Sequence, residues 1–261
     1  SGTIEISAIE EFPENAEDDE TVILTPSVTN ANLNSIGDTN VTIKNNGLEF
    51  EKKDNPFIKL SKSSISWGDF DRDGDMDVLA GCRDGDRVAW FENDGSQGFT
   101  EQIISTNTPN VMSVFVADVD GDGDMDVLAA SNEENKVAWY ENDGNQIFTE
   151  QVISTNASGV RPVHATDLDG DGDMDVISGS VGDGKIIWYE NNESQVFTEH
   201  LIHTNWGVTD LFAVDIDSDG DMDILSSTFY DAIWLYENVG NGEFTVNAVS
   251  YTHLRAHETR I

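Results

Sequence analysis

A nine-residue acidic stretch occurs four times in this chain, at 69–77, 118–126, 167–175 and 215–223. The copies start 49, 49 and 48 residues apart. Each has Asp at positions 1, 3, 5, 7 and 9 and Gly at position 6. The acidic sets are Asp69, Asp71, Asp73, Asp75 and Asp77; Asp118, Asp120, Asp122, Asp124 and Asp126; Asp167, Asp169, Asp171, Asp173 and Asp175; and Asp215, Asp217, Asp219, Asp221 and Asp223. A fixed period of nearly 50 residues calls for a repeated structural unit that stacks on its neighbours. Whatever the unit is, it has to accommodate five crowded carboxylates each time.

The pattern D-x-D-x-D-G-x-x-D has a direct chemical reading. Asp side chains two apart can point at one centre when Gly at position 6 allows a sharp bend. Position 7 then offers its backbone carbonyl and position 9 a last carboxylate. An all-oxygen donor set suits a hard cation, Ca²⁺ before Mg²⁺, because Mg²⁺ demands stricter geometry and keeps its waters. No Cys or His lies in any loop, which disfavours zinc. Two unit charges about 4 Å apart repel by roughly 1 kcal/mol in water and about 4 kcal/mol at an effective dielectric near 20. The sequence therefore predicts one Ca²⁺ per loop, about four ions in all. Read blandly, a single such stretch is a solvated Asp-Gly turn; four in register are not explained that way.

An EF-hand shares the first six positions but needs a Glu at position 12 and flanking helices. Here position 12 is Ala80, Ala129, Ser178 and Ser226. Position 2 is apolar (Phe70, Val119, Leu168, Ile216), position 8 is Met, and pairs such as Val78-Leu79 and Ile224-Leu225 follow. These loops join two strands.

The rest of each repeat supplies three further segments. A short strand precedes each loop, with apolar alternate positions (Ile65 and Trp67, Val114 and Val116, Val163 and Ala165, Leu211 and Ala213). After the second strand and a polar turn comes an aromatic block ending in Asn93, Asn142, Asn191 and, with the Trp shifted, Asn238. An Asn/Gly turn leads to a fourth strand starting at Phe99, Phe148, Phe197 and Phe244. The predicted fold is all-β: a β-propeller, or part of one, built of four-stranded antiparallel blades, with four repeats over 65–250.

Outside the repeats, residues 1–47 form a short β-rich N-terminal segment and 48–64 a junction in which Phe57–Leu60 reads as a strand. Residues 251–261 break the composition and resemble a translated adapter tail, a non-native end. The chain starts at Ser1 rather than Met and shows no signal peptide or transmembrane run; it reads as a fragment or mature segment of a larger multidomain chain.

The formal net charge is −38, from 51 acidic and 13 basic residues. That balance argues against nucleic acid, which needs a basic face, and against an anionic membrane surface. With a single cysteine, Cys82, no intrachain disulfide is possible, and bound metal takes over the stapling. The repeated Trp residues read as filling between blades; Trp67 and Trp206, without counterparts, are candidate platforms for a ligand. His164 and His203 read as packing residues. No recognised catalytic motif is present, and a carboxylate pair cannot be picked from so many.

From residue 65 to 250 the four loops, together with the W-Y-E-N and F-T-E blocks, resemble FG-GAP or VCBS-type repeats, the repeats of integrin alpha-subunit propellers. The resemblance implies calcium in the loop between the first and second strands of each blade, liganded by the twenty Asp above, with Asp75, Asp124, Asp173 and Asp221 acting through their carbonyls. Residues 17–34 and 39–47 resemble the C-terminal half of a Calx-beta domain. Family propellers have about seven blades and this chain shows four. The functional expectation is a secreted or cell-surface, bacterial-type module, non-catalytic, binding a protein or glycan ligand in adhesion. The alternatives are a polysaccharide lyase or hydrolase fragment, with Arg161 and His164 as the place to look, and a passive spacer.

Overall fold

The computed structural model describes residues 63–96, 98–205, 207–229, 233–240 and 242–250, with the backbone of Ile43–Asn45 and Leu48–Phe50. Two compact units divide between Asn55 and Pro56, inside the expected junction. In the first unit, β1 (Ile43–Asn45) and β2 (Leu48–Phe50) form an antiparallel hairpin. The remainder of the Calx-beta-like stretch, the Phe57–Leu60 strand and the 251–261 tail lie outside the described residues.

The second unit holds four antiparallel sheets of four strands, each in sequence order. Blade 1 comprises β3 (Ser63–Gly68), β4 (Asp77–Cys82), β5 (Arg87–Asn93) and β6 (Phe99–Ser105). Blade 2 comprises β7 (Val111–Ala117), β8 (Asp126–Ser131), β9 (Lys136–Asn142) and β10 (Phe148–Ser154). Blade 3 comprises β11 (Val160–Thr166), β12 (Asp175–Ser180), β13 (Lys185–Glu190) and β14 (Thr198–Thr204). Blade 4 comprises β15 (Val208–Val214), β16 (Asp223–Thr228), β17 (Ile233–Asn238) and β18 (Phe244–Ser250). No helix occurs among the described residues. Each acidic loop joins the first strand of a blade to the second, as the sequence predicts.

First strands pack side by side, β3 with β7, β7 with β11 and β11 with β15. β15 and β3 do not meet in that way, so the four sheets do not close into a ring. Among the described residues three hydrophobic cores result, each between consecutive blades. Phe70, Leu79, Val88 and Trp90 of blade 1 meet Val114, Val127 and Tyr140 of blade 2. Val119, Leu128 and Trp139 meet Val163, Val176 and Tyr189. Leu168, Ile177 and Trp188 meet Leu211, Ile224 and Tyr236. Strand alternation explains the adjacent Trp-Tyr pair: neighbouring side chains point to opposite faces, so the third strands of blades 2 and 3 send Trp forward and Tyr back. The repeated Trp residues are packing residues; Trp90, Trp139 and Trp188 are all buried.

Blade 4 departs from this pattern in an instructive way. Its Trp sits one residue early, at position 234, while Tyr236 keeps its place. A one-residue offset reverses the face. Trp234 accordingly packs back into the core between blades 3 and 4, and Leu235 takes the forward position.

At the two ends of the series several first-strand and loop positions are exposed, although Phe91, on the same outer face of blade 1, is buried. Ile65 and Trp67 are 65% and 69% exposed, whereas Val114, Val163 and Leu211, the counterparts of Ile65, are at most 5% exposed against a preceding blade. At the other end Ile216 is exposed, unlike Phe70, Val119 and Leu168. Trp67 is exposed, and among the described residues no preceding blade lies against it; Trp206 lies outside the described residues.

This contrast sets a test. Leu128→Ala removes a side chain with no exposed surface and should cost about 2–5 kcal/mol of unfolding free energy. Ile65→Ala should change it by no more than about 0.5 kcal/mol. Urea titrations of the two variants check the difference.

Candidate metal centres

Each loop is held by a repeated set of hydrogen bonds. The position 1 carboxylate accepts from the N–H of the position 6 Gly: Gly74 to Asp69 at 3.1 Å, Gly123 to Asp118 at 2.9 Å, Gly172 to Asp167 at 3.1 Å and Gly220 to Asp215 at 3.2 Å. Position 3 accepts from position 5, as in Asp73 N–H to Asp71 at 3.2 Å. Position 5 accepts from position 7, as in Asp75 N–H to Asp73 at 2.8 Å. The same two bonds recur in the other three loops. The Gly at position 6 has φ between +92° and +102° throughout, a region that resists a Cβ. Position 4 is left-handed as well: Arg72 and Ser218 have φ of 61° and 66° beside Gly121 and Gly170. Sequence reasoning missed this second bend, although two of the four residues there are Gly.

Position 9 is the buried anchor. Asp77, Asp126, Asp175 and Asp223 are fully enclosed. One oxygen accepts the N–H of position 2, for instance Val119 to Asp126 at 3.0 Å. The other accepts the N–H of the Asn that ends the aromatic block: Asn93 to Asp77 at 2.8 Å, Asn142 to Asp126 at 2.7 Å, Asn191 to Asp175 at 2.7 Å and Asn238 to Asp223 at 2.8 Å. These Asn residues brace the loops, a role that the sequence displayed as a recurrence but did not explain. Each donates through Nδ2 to the carbonyl of the position 8 Met. Asn191 also donates to the Val119 carbonyl of blade 2 at 3.3 Å, and Asn238 to the Leu168 carbonyl of blade 3 at 2.8 Å.

The carboxylates do converge. Ligand oxygens of Asp69, Asp71 and Asp77 lie within 4.8 Å of one another, as do those of Asp167, Asp169 and Asp175, and of Asp215, Asp217 and Asp223. In loop 2 the converging trio is Asp118, Asp120 and Asp122, and Asp126 stands outside it. Asp73, Asp171 and Asp219, each bonded to its position 7 N–H, stand outside the other three trios. The position 7 side chains join no trio, in keeping with a carbonyl role for Asp75, Asp124, Asp173 and Asp221. Asp124 binds Arg72 of loop 1 at 2.8 Å.

Two observations test whether a cation fits. Asp69 Oδ1 and Asp118 Oδ1 are buried without any hydrogen-bond partner; buried acceptors of this kind are costly to leave unmet. The donor set is also entirely oxygen, mostly anionic. The residues fit a hard cation.

The electrostatics agree. Burial pushes Asp126 up to about 7 and Asp175 up to about 6, against the pull of the N–H groups of Asn142 and Val119, and of Asn191 and Leu168. Asp77 is raised for the same reason. Asp71, Asp120 and Asp169 are raised first by burial and then by neighbouring carboxylates. An acid whose folded pKa is raised favours the protonated folded state. Its contribution is fully present below the unfolded value near 4 and is lost as pH rises to 6–7. Metal-free protein should therefore melt at a higher temperature at pH 5 than at pH 7.5. Calcium, which requires ionised ligands, should shrink or invert the difference. Paired thermal melts of chelator-stripped and calcium-loaded protein measure it.

The Arg161 and His164 region is built differently. Arg161 lies over the Phe229 ring at 4.8 Å. His164 is wedged between Phe115 and Phe212, with ring centroids 4.2 and 5.4 Å away. Burial holds its pKa below the usual value, so the imidazole is a neutral packing group. His203 packs against Trp234 and Tyr236, also as expected. Cys82 is buried at the end of β4.

With fold and loops described, comparison with known proteins defines the class. The FG-GAP-like repeat model matches residues 69–129, 118–178 and 167–226 in three tandem copies. The matches run over more than half of the chain, and the chain belongs to the FG-GAP-like repeat family. None of them falls on residues 1–47, so the Calx-beta resemblance gains no support. Curated protein sequences give no match.

Among solved structures, the chain is similar to AofleA from Arthrobotrys oligospora at 15% identity and a TM-score of 0.52, covering 80% of this chain and 64% of that one. It is similar to an arginine-to-alanine mutant of the same protein at 15% identity and a TM-score of 0.53, covering 79% and 63%. It is also similar to BBS1N in complex with ARL6DN at 10% identity and a TM-score of 0.51, covering 74% and 58%. The chain thus spans about three fifths of the length of these structures. At such identities the likeness is one of β-propeller-like fold alone. Among the described residues no helix is long and apolar enough to cross a membrane.

Proposed function

We propose that this chain is a calcium-binding, extracellular, non-catalytic module that presents its blade surfaces to a protein or glycan partner in adhesion. The observation that carries the calcium reading is the convergence of three carboxylates in every loop, with Asp69 Oδ1 and Asp118 Oδ1 buried and unmet. Membership in a repeat family found in extracellular proteins supports the setting.

The proposed mechanism is rigidification. An ion between positions 1, 3, 5 and 9 cancels the repulsion that otherwise pries the loop open. It fixes the end of one blade's first strand to the start of its second. Position 9 then passes that order to the third strand through the Asn N–H. Dissociation constants of about 10⁻⁴–10⁻³ M per loop, the range of extracellular calcium modules, are expected. The exposed Trp67 and the loops at the blade ends are the surfaces on offer; the ligand class is set by this reading only as protein or glycan.

Thermal melts in excess EDTA and in excess calcium test the proposal. Ligand at about 100 times its dissociation constant stabilises by about 2.7 kcal/mol per site, so the calcium-loaded midpoint should lie well above the EDTA midpoint. Equal midpoints would count against the reading. Glycan and protein arrays probed with the wild type and with Trp67→Ala then separate a binding module from a spacer, since a spacer retains nothing on either array.

A further inference from the structure

The hydrogen bonds around position 9 do not stop at one blade. Asp126 accepts the N–H of Val119 at 3.0 Å. The Val119 carbonyl accepts from Asn191 Nδ2 of the next blade at 3.3 Å. The Asn191 N–H donates to Asp175 at 2.7 Å, and Asp175 accepts the N–H of Leu168 at 3.0 Å. The Leu168 carbonyl accepts from Asn238 Nδ2 at 2.8 Å, and the Asn238 N–H donates to Asp223 at 2.8 Å. Val119, Leu168, Asn191, Asn238 and the three Asp residues are all buried. The line runs from loop 2 through loop 3 to loop 4 without a break. In loops 3 and 4 it passes through Asp175 and Asp223, members of their loops' converging trios; in loop 2 it ends on Asp126, which holds the second loop residue beside the trio of Asp118, Asp120 and Asp122.

From this line we infer that Asn191 and Asn238 are positioning residues that couple the loops, so that filling one loop raises the affinity of the next. The inference rests on the calcium reading above and adds a cooperative order to it. The physical argument is short. The residue at position 2 carries two bonds, its N–H to its own loop's Asp and its carbonyl to the next blade's Asn. Ordering either side fixes the same residue between its two flanking peptide groups and lowers the cost of ordering the other. Buried amide bonds of this kind are unforgiving, because a lost partner leaves a carbonyl unmet.

Loops 1 and 2 are joined otherwise. Among the described residues no bond runs from Asn142 to the Phe70 carbonyl; the link is the ion pair of Arg72 with Asp124 at 2.8 Å, with Arg72 about half exposed. Asp124 is only 10% exposed, but a pair whose cation lies in solvent is still weakened and screened by salt. Coupling should therefore be strong for loops 2–3 and 3–4, and weak and salt-sensitive for loops 1–2.

The test is calorimetric titration with calcium chloride of full-length variants in which only two adjacent loops remain active. Loops are silenced by Asp→Asn at positions 3 and 5, which lie off the line. With loops 1 and 4 silenced (Asp71→Asn, Asp73→Asn, Asp217→Asn, Asp219→Asn), loops 2 and 3 should bind two ions, the second about tenfold more tightly, within the usual range of site-to-site coupling. Adding Asn191→Ala should abolish that factor. With loops 1 and 2 silenced instead, Asn191→Ala should leave the coupling of loops 3 and 4 intact and Asn238→Ala should abolish it. A merely structural role would lower affinities in both backgrounds and spare the coupling factor in both. Two ions bound independently in the Asn-intact proteins would overturn the inference while leaving calcium binding in place, and that measurement does not depend on the Ala variants folding. No heat in any of them would overturn the calcium reading itself.

Discussion

The structure depends on one buried carboxylate per blade, the Asp at position 9. It is enclosed, yet both of its oxygens accept backbone N–H groups, one from the second loop residue and one from the Asn that closes the aromatic block. It thereby joins the first, second and third strands at one point. A neutral side chain of similar shape would make part of this pattern. Only a carboxylate accepts at both oxygens and also adds charge to the loop above it. Burial of that charge is the strain in the design, seen in the raised pKa values of Asp126 and Asp175.

The strain gives the acidity of the chain a purpose. A net charge of −38 on 261 residues opposes compaction through self-repulsion. Much of it is concentrated in four places where a divalent ion would neutralise it locally. The hydrophobic cores lie between blades and are made by Trp, Tyr and branched side chains in alternating directions. An ion in the loops would act on the same strands as the cores, the one at their ends and the other along their faces. Neither a disulfide nor a helix takes part among the described residues.

Much of this was legible in the sequence because the repeat shows the same chemistry four times. Loop positions, strand order and the packing role of Trp90, Trp139 and Trp188 all follow from periodicity. Other features did not follow, for identifiable reasons. Asn191 and Val119 are 72 residues apart, and no local pattern announces a bond between a side chain and a distant carbonyl. The left-handed backbone at Arg72 and Ser218 was hidden by side chains that ordinarily avoid it. The alternation of Ile65 with Trp67 predicts a strand correctly but cannot say whether a neighbouring sheet covers it, and among the described residues none does. In the loops, the spacing of the Asp residues predicts which can converge. It does not predict that Asp73, Asp171 and Asp219 stay outside their trios while Asp122, with the same backbone bond, joins its own.

The central claim is that cations captured by these four loops hold the strand ends of an otherwise self-repelling chain. Its most direct test is a calorimetric titration of chelator-stripped wild-type protein with calcium chloride. The account predicts saturable heat with a stoichiometry of about four ions per chain, one for each loop, lost loop by loop as the position 3 and 5 Asp residues become Asn. A titration indistinguishable from buffer dilution would contradict it.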